Sequence, residues 1–531
     1  MDLRQALGML SKSSPYAVST AGAEISNELA SVKQYLYVKT DIELAFEEKL
    51  QSIDADEIVF LCGSSGDGKS EILTRYRDKY AGAIDFHLDA THSFEPDMTA
   101  VETLNSMFAE FKSSNNGLVV GVNIGMLGNY AREGAEEHDA IKEAIHSFLE
   151  GEEVNGKYVF IDFESFSKFN IASGEVCSDF FSTLLSKIVS DSEHNPYEEY
   201  LQQAIAQRND AILVSNIRQL RDPGVQKTVI CLLLSARIRK DQFITARMLL
   251  DFIYCILTGP GYLFDNLFNG GDNELLEALS YFDPSVIRNK KLDLFVIHRK
   301  LQIEDNDFSK FAEEIDNRFD IKGVTDAQSL VRCLYLFKDT DFECTYIKEY
   351  QDAFDESAFH TYKDIWELHK QYDDSPELKE RLKRFYSRIV LASINMYANR
   401  NATYLAKDQF YISSHGDCDL AADIELSVSY KDIVQDTEKD ISGFKLHLAV
   451  NDEPLEQVFM NANLLEMMMR VVAGFRPNKH DKNSVVLLDE IVNKITEIAN
   501  ASSILFLYKD RDKRPIKLRE SLDGEIRVSN F

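Results

Sequence analysis

Between residues 56 and about 170 the apolar positions alternate between two rhythms. Short continuous runs, "EIVFLC" (57–62), "AIDFHLD" (83–89), "LVVGVN" (118–123) and "YVFID" (158–162), are rich in β-branched and aromatic residues and predict strands. Between them "TAVETLNSMFAEF" (99–111) and "EEHDAIKEAIHSFLEG" (136–151) repeat apolar residues at three and four and predict helices. That alternation predicts a parallel α/β sheet with its ligand at the carboxyl ends of the strands.

Beyond Gly174 the rhythm becomes helix after helix: "SDFFSTLLSKIVS" (178–190), "YEEYLQQAIAQ" (197–207), "VQKTVICLLLSARI" (225–238) and "TARMLLDFIYCIL" (245–257). The expected organisation is an N-terminal helical segment (1–55), an α/β core (56–174), a helical lid (175–330) and a mainly helical α+β region (331–531). In the last, "FKLHLAV" (444–450) and the hairpin "ILFLYKDRDKRPIKLRES" (504–521) accompany the helices "NANLLEMMMRVVAG" (461–474) and "VVLLDEIVNKITEIANA" (485–501).

Composition narrows the choice of partners. A formal charge of −30 over 531 residues repels a phosphate backbone and excludes wide, unassisted wrapping of DNA. Two local exceptions, "KERLKRFYSR" (379–388) and "KDRDKRPIKLRE" (509–520), read as a solvated helix face and a polar hairpin. The seven cysteines are scattered without C-x-x-C spacing, which argues against a disulfide framework or a zinc site. No targeting segment or membrane span is expected, and a reducing cytoplasm fits.

The chemistry lies between the first strand and the helix after it. Gly63-Ser64-Ser65-Gly66-Asp67-Gly68-Lys69-Ser70 fits G-x-x-x-x-G-K-[ST] without a mismatch, and Glu71 continues into the helix. Glycines let successive N–H groups turn toward a polyphosphate, and the helix N-terminus adds partial positive charge. The spacing predicts a P-loop NTPase of AAA-like type: ATP cradled by residues 63–71, Lys69 on the β- and γ-phosphates, and Ser70 on Mg²⁺.

Hydrolysis also needs a carboxylate at a neighbouring strand end. "VVLLDE" (485–490) is a decoy, since Ser484 reads as an N-cap and Leu488, Ile491, Val492 and Ile495 continue at helical spacing. Asp89 ends one strand and Asn123 the next, an AAA-type order in which the acid meets Mg²⁺ and the asparagine senses the γ-phosphate. Against it, Asp89 follows Lys69 by only twenty residues and Ala90 stands where a glutamate is usual. Asp162 with Glu164, in "VFIDFE", is the alternative. Arg247 is a candidate γ-phosphate contact from the lid, with Arg218 and Arg221 as weaker candidates for a neighbouring subunit. His87 and His92 flank Asp89 without completing a metal set, and "HRKLQIED" (298–305) matches a phosphodiesterase pattern only by chance.

Taken together, "LSKSSPYAVST" (10–20), the loop 60–76, "HLDATHSFEP" (87–96), "VGVNIGMLGNYAREG" (120–134) and "FIDFESFSKF" (160–169) resemble the DptF family of DNA phosphorothioation-dependent restriction proteins. The resemblance implies a bacterial defence component acting with the companions DptG and DptH, and assigns Gly63, Gly68, Lys69 and Ser70 to the nucleotide. DNA would then be reached through the complex, with a homo-oligomer also open. A nucleotide-bound scaffold that hydrolyses little is the alternative, and a small-molecule kinase would need an acceptor pocket that no motif supplies.

Overall fold

Every residue of the strand β1 (Ile58–Cys62) is buried, and its side chains alternate between two cores. Ile58, Phe60 and Cys62 pack with α5 (Ala100–Ser113), α6 (Ile124–Glu133) and α7 (Asp139–Leu149); Val59 and Leu61 pack with α3 (Asp41–Gln51) and α4 (Lys69–Arg77). A strand covered on both faces needs this unbroken apolar run, and each buried side chain contributes about 1.5–3 kcal/mol. The computed structural model describes the chain apart from residues 1, 15–26, 91–97, 155, 344, 355–356, 407, 436–439, 457, 478–481, 501, 503, 510–513, 521–525 and 531.

The chain forms two units, one of Met1–Asn170, Val176–Arg237 and Gln242–Phe354, the other of Ile171–Glu175, Ile238–Asp241 and Asp355–Phe531. In the first, α1 (Leu3–Leu7) and α2 (Asn27–Leu36) precede α3 and β1. The expected sheet is present: β1, β2 (Ile84–His87), β3 (Gly117–Val122) and β4 (Tyr158–Asp162) pair in parallel in the order β2-β3-β1-β4. Because β3 and β4 flank β1 on opposite sides, the chain switches direction across β1, the place at which open α/β sheets bind their ligands. Capping residues start the helices: Thr99 and Glu102 form a reciprocal box at α5, and Asn123 caps α6.

From Asp179 onward helices succeed one another, as the spacing predicts: α8 (Asp179–Val189), α9 (Pro196–Gln207), α10 (Ala211–Arg221), α11 (Pro223–Arg239) and α12 (Ala246–Thr258). The C-terminal unit holds more strand than its sequence suggests. Gln409–His415 and Cys418–Asp423, for which no strand was expected, form a hairpin about Gly416 (φ +60°). They join the expected hairpin of Ile504–Lys509 and Ile516–Glu520 and the last strand, Ile526–Asn530, in one five-stranded antiparallel sheet. Their mix of polar and apolar positions and the register shift between Tyr411 and Ser413 concealed them.

In this unit His369 is buried, stacked 4.3 Å from the Phe444 ring with the Tyr386 hydroxyl 3.3 Å from Nε2. Burial first, then the charge of His447, lowers its pKa to about 3. Between that value and the ordinary 6.5 the unfolded chain binds a proton that the folded chain does not, so stability falls as pH drops below 6.5. The expected loss is about 1.4 kcal/mol per pH unit, read as a falling melting temperature. His369→Gln should flatten that slope, and an unchanged slope would assign the acid sensitivity elsewhere.

Candidate functional site

Four strand ends meet at one level. Cys62 stands opposite Val122 on β3 and Asp162 on β4, while His87 stands opposite Val120. Asp162, the last residue of β4, and Asn123 and Asp89, just past the ends of β3 and β2, therefore lie around the start of the loop at Gly63. Two glycines allow this approach. A Cβ on Gly121 would lie 2.6 Å from the Leu88 carbonyl oxygen, and the Ala90 amide donates to the Gly121 carbonyl at 2.8 Å, which fastens the Asp89 strand end to β3. A Cβ on Gly63 would lie 2.8 Å from the Phe163 ring, which packs the β4 end against the loop.

The loop turns through Gly66 (φ +87°) and Gly68 (φ +104°), conformations that side-chain-bearing residues rarely adopt. The amide N–H groups of Ser65, Gly66, Gly68, Lys69 and Ser70 have no acceptor among the described residues. The Ser64 amide does have one: it donates to the Asp67 carboxylate at 2.8 Å. Asp67 in turn pairs with Lys168 at 3.1 Å, their side chains being 7% and 17% exposed. The loop thus seats an anionic oxygen of its own. Lys69 folds beneath it and donates to the carbonyls of Gly63 and Ser64, each at 2.8 Å.

Electrostatics tie the pieces together. Burial lowers the Lys69 pKa, while Asp67, Asp89 and Asp162 oppose the shift, so all three carboxylates lie within its field. Burial raises the pKa of Asp162, partly offset by its hydrogen bond from the Glu164 amide at 3.3 Å. Glu164 itself is exposed. Asn123 accepts from the Met126 amide at 2.7 Å, which orients its Nδ2 away from the helix it caps. Ser70, at the start of α4, accepts the Thr74 hydroxyl on its carbonyl at 2.7 Å. Glu71 is held at 2.9 Å by Lys33 and at 3.2 Å by Arg75, an ion-pair role the sequence did not signal.

Arg247 lies against the loop. Its backbone N–H donates to the Gly66 carbonyl at 3.1 Å, and its guanidinium donates to the Ser11 carbonyl. Thr245 caps α12, and a Cβ on Gly66 would come 3.0 Å from the Arg247 Cβ, so the helix starts in contact with the loop. Arg218 instead faces Asp320 at 3.8 Å, and Arg221 is engaged by Glu198 and the Val189 carbonyl, so both serve packing within the chain. Asp489 accepts from the Tyr397 hydroxyl at 2.7 Å on the helix Lys482–Asn500, which begins two residues before Ser484, the expected cap. Asp305 caps the helix Asn306–Phe319, leaving the 298–305 pattern a structural one. His92 lies outside the described residues.

Among the described residues no three His, Cys, Asp or Glu side chains converge as a preformed metal site. Nor is any helix there long and apolar enough to cross a membrane. Sequence reasoning gave Lys168 and the Ser11 carbonyl no role, although both lie in segments that carry the DptF resemblance; the fold brings them to the loop. Compared with protein-family models, curated proteins and solved structures, the chain matches none.

Proposed function

We propose that the site at these strand ends binds and hydrolyses a nucleoside triphosphate, as a P-loop NTPase of AAA-like type. The observation that carries this reading is the set of amides of Ser65, Gly66, Gly68, Lys69 and Ser70, without acceptors among the described residues, beside a lysine on a glycine-hinged loop. Backbone N–H groups seldom go without acceptors unless a ligand or water supplies them. The strand order supports the AAA-like assignment, because β3, the strand beside β1 on the Asp89 side, ends in Asn123 and not in an acid. Asp89 then falls one strand further out, with the asparagine between it and the loop.

The residues present suit Mg²⁺ shared with phosphate: Ser70 and Asp89 would hold it, with Asp162 as the second carboxylate, and the remaining ligands would come from phosphate and water. When bound, the ion neutralises phosphate charge. Lys69 leaves the Gly63 and Ser64 carbonyls to donate to the β- and γ-phosphates. Asn123 presents Nδ2 toward the γ-phosphate, Asp162 or Glu164 orients the attacking water, and Arg247 exchanges the Ser11 carbonyl for a phosphate oxygen and so couples α12 to the nucleotide.

If the resemblance to DptF holds, this cycle would belong to a cytoplasmic restriction system with DptG and DptH, where nucleotide state would govern assembly on DNA. One observation favours the second reading, a scaffold with little turnover: Lys69 and the Ser64 amide are both already satisfied within the loop, so nucleotide must displace existing hydrogen bonds.

Asp67 offers a test of the loop's charge. Asp67→Asn removes the internal anion that opposes polyphosphate and releases the Lys168 ammonium, so Mg-ATP should bind several-fold more tightly by calorimetric titration. Weaker binding by a folded variant would mean that the carboxylate instead holds the loop in its binding shape.

A further inference from the structure

Asp67 sets a difficulty for a loop that is to take a polyphosphate, because its carboxylate lies beside the groups that would meet the ligand. Its side chain is 7% exposed, Oδ2 accepts the Ser64 amide at 2.8 Å, and the same oxygen would lie 3.1 Å from a Cβ on Gly63. The Gly63 and Ser64 carbonyls are the ones on which the Lys69 ammonium rests. Carboxylate and ammonium are therefore close neighbours. Burial lowers the Lys69 pKa, and of the three carboxylates that oppose the shift Asp67 acts most strongly. A partly buried pair of this kind is poorly screened, so the attraction between its members is strong.

Lys168 already occupies that carboxylate. Its Nζ lies 3.1 Å from Oδ1, the oxygen that the Ser64 amide leaves open. The lysine side chain is 17% exposed, and the backbone around it is pinned: Ser178, the N-cap of α8, donates its hydroxyl to the Lys168 carbonyl, and the Ser167 hydroxyl donates to the Phe169 carbonyl at 2.7 Å. A lysine held in this way gives up less freedom on pairing than one on an open surface. We propose that Lys168 is a positioning residue for nucleotide binding: by occupying Asp67 it leaves Lys69 on neutral carbonyls, free to move onto phosphate. Without Lys168, Asp67 draws Lys69 into an ion pair that the nucleotide must break. This inference rests on the nucleotide reading above and deepens it.

Calorimetric titration of the full chain with Mg-ATP tests it. Lys168→Gln, which keeps a hydrogen-bond donor and removes the charge, should bind about tenfold more weakly than the wild type, whereas Lys168→Arg should stay within a few-fold. Asp67→Asn added to Lys168→Gln should restore about that tenfold, because the carboxylate that captures Lys69 is then gone. A lysine that merely braces the fold would not be rescued in this way. Should Lys168→Gln alone melt early, the double variant decides, since it leaves no charge unpaired. Wild-type affinity in a folded Lys168→Gln chain, or weak binding by the folded double variant, would overturn the proposal and leave the nucleotide reading standing. A wild type that binds no Mg-ATP would remove that reading and the proposal with it.

Discussion

Lys69→Ala is expected to abolish nucleotide turnover by the purified chain, a loss of at least about a hundredfold, and to abolish restriction in cells that depend on the intact system. The side chain is half-buried with three carboxylates in its field, so no other cation within the loop replaces it. Lys168, the nearest alternative, is occupied by Asp67. Because Lys69 also closes the loop on the carbonyls of Gly63 and Ser64, the variant should be compared with Lys69→Arg, which keeps the charge but not its geometry. Turnover should be lost in both, with wild-type melting temperatures for the chain. Normal restriction by a folded Lys69→Ala chain would remove the hydrolytic role.

The second large effect separates the two acid candidates. Asp89→Asn should leave ATP binding within a few-fold of wild type while lowering turnover about a hundredfold or more, because the carboxylate it removes would meet Mg²⁺ without gripping the phosphates. Asp162→Asn should do less. Asp162 already accepts the Glu164 amide, and burial raises its pKa, so part of its role is to shape the turn after β4. Parallel measurements of radiolabelled phosphate release and equilibrium binding would read the difference. The reverse ranking would give Asp162 and Glu164 the Mg²⁺ and water-orienting roles and leave Asp89 as the end of a sheet-edge strand.

The legible parts of this protein are those that local chemistry dictates. β1 is continuous and apolar because it is covered on both faces, and its glycine-rich exit needs positive φ at Gly66 and Gly68; both signals lie within fourteen residues of sequence. The amphipathic helices α8, α9 and α12 announce themselves by spacing in the same way. What remained hidden depends on partners distant in the chain. Lys168 reaches Asp67 from 101 residues away, and the Ser11 carbonyl meets Arg247 from 236 residues away, neither with any periodic trace. Sequence order put Asp89 ahead of Asp162 but left both open, since their value depends on which strand lies between each and β1, and strand order is a tertiary property. The strand Gln409–His415 was missed because it is half polar and pairs through an irregular register near Tyr411.

The most direct measurement is a structure of the chain with Mg²⁺ and a nonhydrolysable ATP analogue. The account predicts triphosphate oxygens on the amides of residues 65–70, Lys69 moved from the Gly63 and Ser64 carbonyls onto phosphate, and Asp89 facing the metal across Ser70. An analogue bound away from this loop, or an unchanged loop with Lys69 still on its own carbonyls at saturating nucleotide, would contradict it.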